Sequence, residues 1–324
     1  MRQNLSSDQV NQVKKVWGED NAWKDPEVVH WTQLLQVQER MNLLVSGDKQ
    51  KDRFKYFIDT FIRTPVKRAL TLGCGHGELE RGLSKYNFAV SHDAVDIADG
   101  AIESATRLAK EAGVNNVRYW VADLNTIQLP RYEYDVVFGI ASFHHVANLE
   151  HLLIQVSQTL KPGGFLFLDE YIGPIQFQWP DEQLNIINEQ IDAMPDRYKT
   201  FVAEPHFRKG PMTRPTIEEM NAVDPSEAIR STHILPMVQA VFDSVVVKGY
   251  GGSLLHLLLD HIAGNFAEHD PAAVTYLDSL FELEDRLIAS GKLHHDFAVI
   301  VARKKTSPGT WARFCANRLL RFVR

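Results

Sequence analysis

The chain has 324 residues, 44% of them hydrophobic and 23% charged, and a net charge of −6. This length and balance suit one large enzyme domain or a domain with a cap, while the negative charge argues against a general nucleic-acid binder. Two widely separated cysteines fit a reducing cytoplasm, and we expect neither a signal peptide nor a membrane span, because no apolar run is long enough.

The first 64 residues are predicted to form an N-terminal helical segment. A first helix is capped around residues 6–8 and runs through Val16, and apolar spacing indicates two more over residues 26–44 and 52–62. The segment either packs on the sheet or forms a lid that excludes water from the ligand. For the lid, the candidate wall residues are Trp17, Trp23 and Trp31.

Residues 70–77 form a short apolar run that ends in three alternating glycines, Gly73, Gly75 and Gly77. A helix is predicted to begin at Glu78. Glycines let a strand turn sharply into a helix and let backbone N–H groups approach a ligand closely. The turn therefore indicates a nucleotide-like cofactor at the helix N-terminus, with an ordinary tight turn as the alternative.

Strands and helices alternate downstream at the spacing of a doubly wound, mostly parallel sheet. Strands are predicted over residues 88–97, 117–123, 134–140 and 165–170, helices over 100–112 and 149–160, and a break over 161–164. Asp96 lies 19 residues after Gly77, where an acid at a strand tip can bind a ribose diol. The polar residues at strand ends should meet at one edge of the sheet.

The remaining chain interrupts and then completes this sheet. Two insertions, within 171–235 and over 252–291, are predicted to be helical and to cap an acceptor site. Strands six and seven are predicted over 244–247 and 297–301. Residues 303–324 hold seven Lys or Arg and no acid, so the rest of the chain carries −13. A helix over 310–324 either docks on the body or contacts anionic lipid through 306–324.

The chain resembles the class I S-adenosylmethionine-dependent methyltransferases. The resemblance is carried by residues 72–77, Asp96-Ile97, 122–124, 143–146 and the Leu-Lys-Pro-Gly-Gly step at 160–164. It implies a seven-stranded Rossmann-like core at 65–170, completed within 236–303, and S-adenosyl-L-methionine as cofactor. The cofactor residues that it implies are Leu72, Gly73, Cys74, Gly75, Gly77, Asp96, Ile97, Asp123, Leu124 and Gly139.

One departure from the family pattern concerns Thr71, because many members carry an acid two residues before the first glycine. The methionyl ammonium of the cofactor therefore needs another partner. Stretches outside the core, among them 46–48, 170–174, 224–228 and 251–256, resemble bacterial methyltransferases of glycan and secondary-metabolite pathways. This narrower resemblance implies a small-molecule or sugar hydroxyl as the acceptor.

Methyl transfer to a hydroxyl requires alignment and a group that removes the proton. The catalytic candidates are His145, Glu170 and His256. His145 alternatively only orients the cofactor, and Glu170 is alternatively a buried carboxylate that binds backbone donors. His256 shares a helix face with Asp260, and with His261 and Glu170 they form a metal site or a base with its orienting partner, or else are plain helix-surface residues. We predict no metal.

The acceptor is expected to be small or glycan-linked, because no Asn/Asp-Pro-Pro-Tyr follows strand four and no aromatic-basic cluster indicates base flipping. Two other protein classes stay open. One is an NAD(P)-dependent oxidoreductase, although this sequence has no Tyr-x-x-x-Lys catalytic pair. The other is a catalytically inactive partner protein with the same fold. We expect a cytoplasmic protein, with possible contact to the inner membrane face. The sequence does not predict its oligomeric state.

Overall fold

A seven-stranded sheet with strand order β3-β2-β1-β4-β5-β7-β6 organises the chain, and only β7 runs antiparallel to its neighbours. The computed structural model describes residues 5–18, 29–267 and 270–304. The strands are β1 (Val66–Leu72), β2 (Ala89–Asp96), β3 (Val117–Val121), β4 (Tyr134–Ile140), β5 (Leu160–Tyr171), β6 (Ser244–Gly249) and β7 (Phe297–Arg303). The predicted fold class is confirmed.

Helices cover both faces of this sheet. They are α1 (Ser7–Gly18), α2 (Leu35–Ser46), α3 (Arg53–Phe61), α4 (Glu78–Ser84), α5 (Asp99–Glu111), α6 (Leu149–Thr159), α7 (Asp181–Ala193), α8 (Ile217–Val223), α9 (Ile234–Val241), α10 (Leu255–Leu259) and α11 (Pro271–Ala289). Alternate residues of a strand point to opposite faces. Val136 and Phe138 therefore pack with α2, α3, α7, α10 and α11, whereas Val137 packs with α6 and α9.

The N-terminal helices are close to prediction except for the second one. Asp52 caps α3 by accepting hydrogen bonds from two backbone N–H groups of its first turn. The helix predicted from residue 26 instead begins at Leu35, because Leu34 is extended and a 3₁₀ turn over Trp31–Gln33 precedes it. Trp23 lies outside the described residues.

The predicted break at residues 161–164 is also corrected. Strand β5 already begins at Leu160, and its register against β4 shifts between Tyr134 and Val136. Gly163 has a φ of +79°, which lets the strand bulge at this point rather than end. In the same region, Lys161 Nζ lies 2.9 Å from both carboxylate oxygens of Asp135 and ties the bulge to β4.

The second insertion is joined to the N-terminal helices by a buried ion pair. Arg40 of α2 places its guanidinium 2.9 Å from Glu284 Oε2 of α11. Glu284 Oε1 in turn accepts backbone N–H groups of Gly252, Leu254 and Leu255 at 2.8–3.2 Å, which caps the start of α10. The first and last helical segments are therefore one packed unit on the sheet.

The basic tail over 304–324, with its predicted helix at 310–324, lies outside the described residues beyond Lys304. Among the helices that the structure describes, none has the length and apolarity needed to cross a membrane.

Candidate active site

A cavity of about 840 Å³ lies beyond the carboxyl ends of β1, β2 and β4. Its floor comes from the glycine turn and from the residues that follow these strands. Its wall includes Val13 and Trp17 of α1, so the N-terminal segment does reach over this space. Trp31, another predicted wall residue, is instead buried in the core against the second insertion. The volume and position are those of a small-molecule or cofactor site in an open α/β sheet.

Two glycines of the turn have different surroundings: Gly73 packs closely against a neighbouring residue, whereas Gly75 faces open space. Gly73 has a φ of +74°, and a Cβ there would lie 2.4 Å from Ser142 Cβ. Gly75 has a φ of +50°, and no atom lies within 4 Å of a Cβ built on it. Its backbone therefore faces open space in the cavity, which is the arrangement needed for close approach of a cofactor.

Asp96 and Asp123, the two acids among the predicted cofactor residues, lie at the cavity, each fixed by its own loop. Asp96 accepts the Gly75 N–H at 2.8 Å and the Ala98 N–H at 3.0 Å. Asp123 accepts both the backbone N–H and the side-chain amide of Asn125, at 2.8 and 2.9 Å. A carboxylate has about four lone-pair positions, so each acid keeps acceptor capacity for a ligand.

Seven of the ten predicted cofactor residues line the cavity: Gly73, Cys74, Gly75, Asp96, Ile97, Asp123 and Leu124. The other three do not. Leu72 is fully buried, and its carbonyl accepts the Ser142 hydroxyl. Gly77 begins α4 over the Tyr119 hydroxyl, and Gly139 gives room to the ring of Phe143. These three residues support the shape of the site and do not face the ligand space.

His145 lies in the cavity wall and is held by residues of the first insertion. Its Nδ1 atom lies 3.0 Å from the Ser226 hydroxyl, which donates to Asp224 Oδ1 at 2.6 Å. The ring also makes an edge contact with Trp17 at 4.9 Å between centroids. Trp17 Nε1–H donates to Asp224 Oδ2 at 3.0 Å, so α1 and the insertion are joined at this residue.

Glu170 does not face the cavity, which corrects its proposed catalytic contact. The side chain is 1% exposed, and its Oε1 atom accepts the backbone N–H groups of Ser142 and Phe143 at 2.8 and 2.7 Å. Oε2 lies 2.7 Å from His144 Nδ1. This is the alternative role of a buried carboxylate bound to backbone donors, and it makes Glu170 a positioning residue.

His256 is also away from the cavity, in a cluster of aromatic rings. The rings within 6.3 Å of it, centroid to centroid, belong to His30, Trp31, Tyr171, Phe177 and Phe297. Burial lowers the pKa of His256 to about 4, so the ring is neutral at physiological pH. The predicted set of His256, Asp260, His261 and Glu170 is not brought together as a metal site.

The electrostatics around His145 favour a neutral imidazole. Burial, and to a lesser degree the neighbouring His144, lower the pKa of His145, although Glu227 and Asp224 oppose the shift. Burial raises the pKa of Glu227. Within the described part of the chain, the nitrogen and oxygen atoms of His144, His145 and Glu227 lie within 4.8 Å of one another, a spacing that a divalent cation could bridge.

Asp224, Ser226 and Glu227 were not among the predicted site residues, although residues 224–228 belong to a stretch with a family resemblance. The signal was local: Ser226 N–H and its hydroxyl both bind Asp224 Oδ1, a turn that a following Pro and Ser favour. What the sequence could not indicate is that this turn meets His145, which lies 81 positions earlier.

Residues 70–168 match a family model described as "Methyltransferase domain". The chain is 31% identical to 27-O-demethylrifamycin SV methyltransferase of Amycolatopsis mediterranei, over 42% of this chain and 52% of that protein. It is 33% identical to ubiquinone biosynthesis O-methyltransferase of Rickettsia canadensis, over 31% of this chain and 40% of that protein. The chain thus spans about half or less of the length of these curated relatives.

Among solved structures, phosphoethanolamine N-methyltransferase 2 of Haemonchus contortus in complex with S-adenosyl-L-methionine aligns at 15% identity. The alignment covers 87% of this chain and 61% of that one, with a TM-score of 0.45.

The strand order, the glycine turn and the acid at the tip of β2 define a Rossmann-like domain for a nucleoside-containing cofactor. With the family match, residues 70–168 form a methyltransferase domain, and the matches support a class I S-adenosylmethionine-dependent methyltransferase with S-adenosyl-L-methionine as cofactor. The predictions of a methyltransferase domain and of its cofactor are confirmed.

Proposed function

We propose that this protein transfers a methyl group from S-adenosyl-L-methionine to a hydroxyl of a small molecule or of a sugar or glycan. The observation that carries the proposal is a neutral, anchored His145 in the wall of the cofactor cavity. The names of two relatives, a rifamycin methyltransferase and a ubiquinone O-methyltransferase, support oxygen as the methylated atom.

The cavity residues fit this cofactor. The open backbone at Gly75 suits the methionyl part, Asp96 has lone pairs for the ribose hydroxyls, and Asp123 has them for the adenine amino group. When bound, the cofactor supplies an electrophilic methyl group on a sulfonium sulfur. The protein must then align the acceptor oxygen and take its proton.

The hydrogen bonds of His145 select the tautomer that a base requires. Because the Ser226 hydroxyl gives its proton to Asp224, its oxygen accepts from His145, and the proton of the neutral ring is on Nδ1. The Nε2 lone pair then remains available, since Glu227 Oε2 is 3.9 Å away, beyond hydrogen-bond distance. Nearby Asp224 and Glu227 stabilise the imidazolium that forms when the acceptor proton arrives.

Two further residues support this base without touching the reaction. Glu170 fixes the turn at Ser142 and Phe143 and orients His144, whose ring centroid lies 4.2 Å from that of His145. Trp17 covers His145 and keeps bulk water from one side of the ring. The lid interpretation of the N-terminal segment is thereby part of the proposal.

The chemical class of the acceptor and the location of the protein in the cell are proposed from less specific observations. Of the two insertions, the first brings Ser226 to the cavity wall, and we take this side of the cavity as the acceptor side, which suits a small or chain-end hydroxyl. We also place the protein in the cytoplasm, with the basic residues of 306–324 as a contact to anionic lipid that presents glycan intermediates.

The test is turnover of hydroxyl acceptors, followed as S-adenosylhomocysteine formation, in the wild type and in three variants. His145→Ala should lower kcat by about 10²–10⁴-fold while cofactor affinity survives. Ser226→Ala should lower it less, because the tautomer is favoured but no longer fixed. His261→Ala is the matched control, since His261 is exposed and does not line the cavity.

Retention of more than a tenth of the wild-type kcat in His145→Ala would contradict the role of His145 as base. Tight cofactor binding without turnover of any acceptor would instead favour the inactive-partner alternative. Reduction of NAD(P) with any alcohol would favour the oxidoreductase alternative.

A further inference from the structure

The carboxyl end of strand β1 carries no charged side chain next to the glycine turn. Thr71 lies in the cavity lining and is almost fully buried, and its hydroxyl lies 2.9 Å from His92 Nε2. A threonine hydroxyl can accept a hydrogen bond from an ammonium group but cannot balance its charge. Any cation seated between Thr71 and the turn therefore needs a carboxylate from elsewhere in the chain.

Glu80 of α4 places such a carboxylate behind the cavity lining, near Thr71. Glu80 Oε1 and the Thr71 hydroxyl lie 4.0 and 2.9 Å from the same atom, His92 Nε2, and of these two residues only Thr71 lines the cavity. The Glu80 side chain is fully buried, and neither carboxylate oxygen has a hydrogen-bond partner among the described residues. The nearest basic nitrogen is His92 Nε2, 4.0 Å from Oε1. The Thr71 hydroxyl is near enough to lower the pKa of Glu80, although the geometry of a hydrogen bond is not met.

The groups around Glu80 leave its charge unbalanced. Burial lowers the pKa of His92 to about 4, so that ring is neutral, and Cys74, Tyr119 and Asp96 add no positive charge. Arg81 lowers the pKa of Glu80 from a distance but gives its own N–H to the carbonyl of His76. As a result, burial raises the pKa of Glu80 to about 7.

Leaving a buried carboxylate unpaired is costly, and native proteins remove that cost by pairing it with a cation. Two further observations concern the side of the turn. Burial and, secondarily, the Glu80 charge raise the pKa of Cys74 in the turn and of Tyr119, and the Tyr119 hydroxyl is itself buried without a hydrogen-bond partner in the described residues. A Cβ at Gly77 would lie 2.6 Å from that hydroxyl.

We propose that Glu80 supplies the negative charge that balances the methionyl ammonium of the cofactor. The Thr71 hydroxyl, at the cavity surface, accepts a hydrogen bond from this ammonium group. The carboxylate is contributed by the helix after the turn instead of by the strand before it. This inference rests on the proposed function only through the cofactor and is independent of the acceptor and of His145.

Two ligands separate this role from a general effect on the site. S-adenosylhomocysteine carries the ammonium, whereas 5′-methylthioadenosine has the same nucleoside and thioether without it. In Glu80→Gln, calorimetry should show affinity for S-adenosylhomocysteine reduced by about 10–100-fold, the scale of a hydrogen-bonded charge. Affinity for 5′-methylthioadenosine should change less than about twofold. Glu103→Gln, an exposed acid of α5, is the matched control and should alter neither.

Thr71→Asp gives a second test that does not require Glu80→Gln to fold. If Glu80 already balances the ammonium, a new acid at residue 71 adds little, and affinity for S-adenosylhomocysteine should stay within about threefold. In the double variant Thr71→Asp/Glu80→Gln, the new acid should restore binding to near the wild-type value.

The outcomes are decisive in each direction. A gain of tenfold or more in Thr71→Asp alone would overturn the proposal, because it would mean that the site lacks an anion. Equal weakening of both ligands in Glu80→Gln, or no weakening of either, would also overturn it. If the wild type binds neither ligand, the cofactor assignment itself fails, which is a different result.

Discussion

Replacing Asp96 tests the cofactor site most directly, because this carboxylate has two separable tasks. It accepts the N–H groups of Gly75 and Ala98, which holds the glycine turn against the tip of β2. It also keeps lone pairs for the ribose diol. Hydrogen bonds to a charged group contribute about 1.5–3 kcal/mol net, so Asp96→Ala should weaken S-adenosylmethionine binding by about that amount.

The same change should lower the free energy of unfolding. Asp96 is 9% exposed, so the two N–H groups that it releases can be only partly rehydrated, and we expect a loss of about 1–3 kcal/mol. Asp96→Asn keeps one acceptor oxygen and should lose less in both measurements. Calorimetric titration and chemical denaturation measure the two effects separately, with Glu103→Ala as a control on the exposed face of α5.

Unchanged cofactor affinity in Asp96→Ala would refute the placement of the ribose at β2. Weakened binding with unchanged stability would refute only the role of Asp96 in holding the turn.

Four other outcomes are expected. Gly75→Val should abolish cofactor binding, because its side chain would fill open cavity space, and should also lower the unfolding midpoint, because a β-branched residue is strained at a φ of +50°; retained affinity would count against the turn as the cofactor cradle. Asp296→Asn should raise the free energy of unfolding at pH 8 by on the order of 2 kcal/mol. Burial raises the pKa of Asp296 to about 7, so the stability of the wild type falls as the pH rises from about 4 through 7. The neutral amide of the variant should flatten this pH profile, which denaturation at a series of pH values measures. Activity should survive excess EDTA, since we assign His145 to proton transfer; loss of activity that Mg²⁺ or Mn²⁺ restores would assign His144, His145 and Glu227 to a metal. Deleting residues 306–324 should reduce sedimentation with anionic vesicles, and equal binding by both forms, or none by either, would remove the lipid contact.

The parts of the site that the sequence predicted are those with short-range causes. The glycine turn, Asp96 and Asp123 follow from strand ends and turn chemistry within a few residues, and all three lie at the cavity. Strand β4 was likewise predicted from its own short segment, and the sheet order places it in the interior of the sheet. Such features depend on spacing along the chain, which a sequence displays directly.

The errors have long-range causes. Glu170 ends a strand at the expected edge of the sheet, but its carboxylate accepts backbone N–H groups that lie 27 and 28 positions earlier. The direction of its side chain therefore depends on the turn at Ser142 and Phe143, and the spacing of residues along the chain does not specify that contact. His256 shares a helix face with Asp260 as expected, yet its surroundings come from five rings spread between residues 30 and 297. Glu80 was overlooked for a different reason, since a glutamate in the first turn of a helix is ordinary on an exposed surface.

The ion pair between Arg40 and Glu284 limits where this chain can be divided. A piece beginning near residue 64 would keep every strand but would remove the only described guanidinium within 4 Å of Glu284. That carboxylate would lose this charge partner while still holding three N–H groups at the start of α10. Expression of the sheet region alone should therefore yield a poorly folded product, and boundaries drawn from the family match at 70–168 are unsuitable for trimming this protein.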